Sequence, residues 1–175
     1  MGTPSMEPEE SLGWPLAYLI TFRTYGTWLP GDERGSVDRE HRRSGQPYLP
    51  PDQRVAAKAS QRLLQAPIEL SSEQRSVVET SVRAVCLHRG WHLQGIAARA
   101  NHVHVVVSAQ ETPERVMNAF KSWGTRMMIE AGLVEPGAKV WARHGSTRYL
   151  WKPDSVANAC RYVLEHQDGE RFDDE

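Results

Sequence analysis

The run Asn101-His102-Val103-His104-Val105-Val106-Val107 constrains this chain more than any other stretch. Side chains alternate across a strand, so His102 and His104 share one face, about 7 Å apart, while Val103, Val105 and Val107 share the other. A strand of this kind belongs to a sheet with one face packed on a core and the other available for polar chemistry. The rest of the chain must supply the remaining strands and the cover.

Pro15 to Thr24 is rich in strand formers with apolar residues on both faces, which predicts a central first strand. From Thr27 to about Pro51 the composition turns to Gly, Pro, Asp, Glu and Arg, marking a long irregular insertion. Asp52 to Gln65 has helix composition, closed by Pro67. Ser71 with Gln74 forms a capping box, and Val78, Val82, Val85 and Cys86 make an apolar stripe up to Gly90, so a helix is predicted there. Trp91 to Ala98 reads as a second strand, joined to the histidine strand by a short break at Arg99 to Asn101. Thr112-Pro113 opens another helix, with Val116, Ala119, Phe120, Trp123 and Met127 on one face until Gly132. A fourth strand or hairpin is expected between Lys139 and Lys152, and a last helix from Pro153 to about His166. Strand, helix, strand, strand, helix, strand, with one helix appended, is the ferredoxin-like split β-α-β arrangement: an α+β fold with an antiparallel sheet and helices on one face.

With 175 residues the chain suits one domain. Residues 1–14 are expected to be a disordered acidic N-terminus, 15–167 the folded domain with its insertion at about 27–66, and 168–175 an acidic tail. The net charge of −1 conceals a split: residues 11–167 hold 20 bases against 14 acids, while the two ends together carry −7. A moderately basic body permits nucleic-acid contact, although an ordinary solvated surface has the same composition. The first residues lack the basic start and apolar run of a signal peptide, and no stretch approaches the ~20 apolar residues of a membrane span, so a cytoplasmic protein without membrane contact is expected. Cys86 and Cys160 read as small core residues in a reducing compartment.

Two histidines two apart on a strand suit a metal, but also arise as ordinary polar residues. The last helix sharpens the choice. Val156, Ala159, Cys160 and Val163 define its buried stripe, and Tyr162 and His166, four apart, lie one above the other on its flank. Four helical residues rise about 6 Å, close to the spacing of the strand histidines, so His102, His104 and His166 could share an ion with Tyr162 beside it. The alternative for Tyr162 is a boundary tyrosine with its ring packed and its hydroxyl wet.

These residues resemble the single-tyrosine HUH transposases, and within them the REP-associated tyrosine transposases. The likeness rests on Asn101-His102-Val103-His104, the opening Ile20-Thr21-Phe22 strand, the Val140-Trp141 approach to the last strand, and the helix carrying Tyr162, and it spans roughly residues 15–167. It implies a transposase acting on single-stranded DNA, usually a hairpin or palindromic repeat, through a 5′-phosphotyrosine intermediate. It also implies Tyr162 as nucleophile, and His102, His104 and His166 as ligands of magnesium or manganese. Many relatives read Tyr-Ile-His-x-Asn-Pro where this chain has Tyr162-Val-Leu-Glu-His166-Gln167, so Gln167 and Glu165 stand as alternative ligands or second-sphere groups. Relatives act as monomers or as homodimers.

Three imidazoles lean toward manganese, zinc or another transition ion, whereas magnesium prefers oxygen. The segment that interleaves Lys139, Arg143, Arg148 and Lys152 with Trp141, Tyr149 and Trp151 has the composition of a single-strand groove, although a strand with core-facing aromatics has it too. Arg42 and Arg43 in the insertion are further candidates for DNA contact. Two other readings stay open: a three-histidine zinc hydrolase that does not need Tyr162, and a domesticated module that binds single strands without cutting them.

Overall fold

A computed structural model of the protein describes residues 13–29 and 51–165. Its strands are β1 (Ala17–Thr24), β2 (His92–Ala98), β3 (His102–Ser108) and β4 (Trp141–Leu150). Its helices are α1 (Gln53–Gln61), α2 (Ser72–Arg89), α3 (Pro113–Glu130) and α4 (Pro153–Glu165). The sheet runs β2-β3-β1-β4, with every neighbouring pair antiparallel. This is the expected split arrangement, and the two strands flanked on both sides, β1 and β3, are the most apolar. The last strand segment is one strand rather than a hairpin, and α1 forms inside the Asp52 to Gln65 stretch of helix composition, capped by Asp52.

Alternation decides the layers. Tyr18, Ile20, Phe22, Val103, Val105 and Val107 are fully buried beneath α2 and α3, in one cluster with Val78, Val82, Val85, Val116 and Phe120. Among the described residues, the opposite face is covered in part by α4 alone, whose Ala159 and Val163 pack on Ala17, Leu19, Val106 and Leu150. Helices therefore lie on both faces: the two crossover helices on one, the appended helix on the other. Burying the second apolar row of β1 and β3 requires such a cover, because Leu19 and Val106 have no partner on the α2–α3 side.

Ser71 accepts from the Gln74 amide while the Gln74 side chain accepts from the Ser71 amide, and Gly90 ends α2 at φ 70°, the conformation that favours glycine. Thr112 precedes α3 in extended conformation, but its side chain makes no capping bond; Pro113 in the first turn is what sets the helix start. The buried face of α3 keeps Val116 and Phe120 of the expected stripe and widens through Met117, Lys121, Gly124 and Met128, with Ala119 and Trp123 partly buried at its edge. Lys121 lies there because β4 advances four residues from Trp141 to Gly145 while β1 advances two from Phe22 to Thr24. The bulge takes carbonyls out of the ladder, and the Lys121 ammonium donates to those of Ala142 at 2.9 Å, His144 at 3.2 Å and Arg143 at 3.5 Å. Burial pushes that amine down to about 8.

Candidate functional site: the histidine pair and Tyr162

His102 and His104 sit on the α4 face of the sheet, with ring centroids 4.6 Å apart and planes at 75°. Tyr162 projects from α4 toward them, its ring centroid 5.4 Å from that of His104 and edge-on at 72°. The helical residue and the strand pair are thus adjacent, and all three are half-buried. They meet because Ala159 and Val163 fix the buried side of α4 and Tyr162, next to Val163, falls on its flank.

Each imidazole is held through Nδ1. That of His104 lies 2.7 Å from the Thr21 hydroxyl, and Thr21 is its direct cross-strand partner on β1. That of His102 lies 2.6 Å from the Asn101 side-chain oxygen, an acceptor, so the proton belongs on Nδ1 and the lone pair on Nε2. Asn101 is itself tied down: its carbonyl accepts from the Thr24 amide at 3.0 Å and the Thr24 hydroxyl at 3.2 Å. Thr21 escapes a reading of the sequence because it is 83 residues from its partner, while Asn101 is signalled only by its place before His102.

Burial depresses His104 to about 3, helped by His102 and then by the positive fields of Arg23 and Arg99. At neutral pH it is uncharged, the form that binds metals. Two imidazoles whose Nδ1 atoms are oriented by oxygens fit a divalent ion. Among the described residues, no third His, Cys, Asp or Glu joins them to make a ligand group of three. Glu165 is exposed at the end of α4. His166 and Gln167 lie outside the described residues, as do Arg42 and Arg43 and the acidic ends.

The basic and aromatic residues of β4 do not converge on this face. Trp141 turns into the core, edge-on to Phe22 at 5.0 Å, its Nε1 donating to the Lys121 carbonyl and Thr125 hydroxyl, both at 3.0 Å. Tyr149 pairs with Tyr18 on the α3 side, edge-on at 5.2 Å, and stacks with Trp151 at 6.3 Å; these two rings are 47% and 56% exposed. Arg148 is opposite Leu19 and so shares the histidine face. Arg143 and Lys152 are exposed, and Lys139 is exposed with its backbone paired to the Gln65 carboxamide at 2.9 and 3.1 Å.

No family model and no curated protein matches the chain. Among solved structures, it is similar to a REP-associated tyrosine transposase bound to a REP hairpin, with 9% identity and a TM-score of 0.48 over 91% of this chain and 70% of that one. It is also similar to a candidate transposase from Deinococcus radiodurans R1, with 15% identity and a TM-score of 0.48 over 90% of this chain and 95% of the other.

Proposed function

We propose that the chain is a DNA strand transferase of the HUH type, a transposase that cuts and rejoins single strands through Tyr162. The observation that carries this reading is the contact of the Tyr162 ring with the His104 ring, itself against His102. A phenol with pKa near ~10 is a weak nucleophile at neutral pH, and is made effective by positive charge near its oxygen or the phosphate it attacks. Bound through His102 and His104, a divalent ion, magnesium or manganese, supplies that charge. In this reading His166 completes the ligand set, with Gln167 or Glu165 as alternatives.

In the first step the Tyr162 oxygen forms a bond to phosphorus and loses its proton to solvent. The bond from phosphorus to the 3′-oxygen breaks, and that oxygen takes up a proton as a free 3′-hydroxyl. The strand's 5′ end is left as a phosphotyrosine ester. Attack by a different 3′-hydroxyl reverses these changes and releases Tyr162, so the strand is joined elsewhere without an external energy source. Thr21 and Asn101 keep each imidazole in one orientation throughout. The substrate in this reading is a single-stranded hairpin, approached over the α4 face where Arg148 lies.

The test is a labelled hairpin from the gene's own flanks, incubated with manganese or magnesium. The expected product is an SDS-resistant protein–DNA adduct, absent in Tyr162→Phe and in His104→Ala. Adduct formation by Tyr162→Phe would sink the assignment. Metal-dependent hydrolysis that survives this substitution identifies a zinc hydrolase instead, and hairpin binding without any adduct identifies a binding module.

A further inference from the structure

Arg23 is placed by two features. It is the cross-strand partner of His102, so its side chain rises on the histidine face one strand away. Its guanidinium carbon lies 3.2 Å from the centroid of the Trp28 ring. Trp28 reaches that position because the chain turns after β1, through Gly26 at φ 75°, and the turn is locked by Thr27, whose hydroxyl donates to the Thr24 carbonyl at 3.0 Å and meets the Thr24 hydroxyl at 3.0 Å. The turn is continuous with the bonds that hold Asn101, and through it His102.

A guanidinium stacked on an indole is engaged through its flat face, whereas its N–H donors lie in its plane. Stacking thus fixes the plane of Arg23 before any ligand arrives and reduces the side-chain freedom lost on binding. An anion offering two oxygens suits such a fork, and in a strand-transfer site that anion is a phosphodiester.

We infer that Arg23, held flat by Trp28, is a phosphate-binding residue of this site, gripping the DNA backbone at or next to the phosphodiester facing Tyr162. Trp28 is its positioning residue. The inference deepens the strand-transfer reading and rests on it for the identity of the anion.

Two measurements on the full chain test it: the salt dependence of binding to a single-stranded hairpin without added metal, and the initial rate of adduct formation with manganese. Arg23→Gln is expected to flatten the slope of log K against log salt by about 0.7, one single-strand phosphate contact. Arg83→Gln, exposed on α2 across the sheet, leaves the slope unchanged. Arg23→Lys keeps the charge and the slope but slows adduct formation roughly tenfold, because the planar fork is lost. Trp28→Leu also keeps the slope and slows the adduct. Thermal melting of each variant verifies that it is folded. An unchanged slope in Arg23→Gln overturns the inference whatever the adduct assay gives. A flattened slope with no adduct from the native chain leaves Arg23 as a phosphate contact and overturns the tyrosine-transfer reading instead.

Discussion

His104 is the residue on which the site turns, and its properties come from neighbours on three elements. Its Nδ1 is held by Thr21 at 2.7 Å on β1, its ring by Tyr162 on α4, and its charge by burial and by His102, Arg23 and Arg99. Thr21→Val keeps the shape and removes the hydroxyl, so manganese affinity, read by calorimetric titration, is expected to fall roughly tenfold with the melting temperature little changed. The protonation of His104 makes a second prediction. Its folded pKa of about 3 lies below the 6.5 of an unperturbed imidazole, so the unfolded chain takes up this proton first as pH falls. The stability linked to His104 is present above pH 6.5 and is lost as pH drops from there toward 3. The native melting temperature should therefore decline between pH 7 and 5 more steeply than that of His104→Gln; parallel declines would contradict the depressed pKa. At this scale the sequence shows which residue types share a face, since alternation alone puts His102 beside His104. It does not show Thr21 or Arg23 as their partners, because a cross-strand neighbour is defined by register, and register is a property of the assembled sheet.

Among elements, β4 shows how packing overrides composition. Its interleaved cations and aromatics suggest a groove, yet Trp141 is drawn to the core by Phe22 and its two Nε1 contacts, and Tyr149 and Arg148 end on opposite faces. The bulge opposite Arg23 that Lys121 satisfies leaves no mark in the sequence beyond a lysine on an apolar helix face. By contrast the capping box of α2 is legible, because Ser71 and Gln74 need only each other. Two glycines give a paired prediction. A Cβ at Gly145 would meet the Thr21 carbonyl oxygen at 2.5 Å as well as the Met117 sulfur, so Gly145→Ala is expected to destabilise by about 1–3 kcal/mol and, by displacing Thr21, to weaken metal binding. A Cβ at Gly95 would meet Val163 and Cys160 of α4 at 3.8 to 4.0 Å, ordinary contact, so Gly95→Ala should change stability by under about 0.5 kcal/mol. Chemical denaturation of the two variants side by side checks both.

Across the whole molecule, one sheet divides two tasks. The α2–α3 face carries the larger cluster, while α4 rests on a small one built from Ala17, Leu19, Val106, Leu150, Ala159 and Val163. Fewer buried contacts mean a lower cost of local opening, so amide hydrogens of α4 are expected to exchange at least tenfold faster than those of central α2. Equal protection would show that α4 is held as firmly as the core helices. The order of elements was readable from capping signals and periodicity, and with it the ferredoxin-like topology. That α4 would cover the face opposite α2 and α3 was less so, because Leu19 and Val106 show only that some cover is required. No helix among the described residues is long and apolar enough to cross a membrane. The alternation of β3 has one last consequence. A slip of a single residue in its pairing would exchange the two rows wholesale, driving both imidazoles into the core and setting Val103, Val105 and Val107 on the outer surface. Such a chain would lose its histidine face and gain an adhesive one in one stroke. The motif that marks the site thus also guards the register, since only one pairing keeps the valine row out of water.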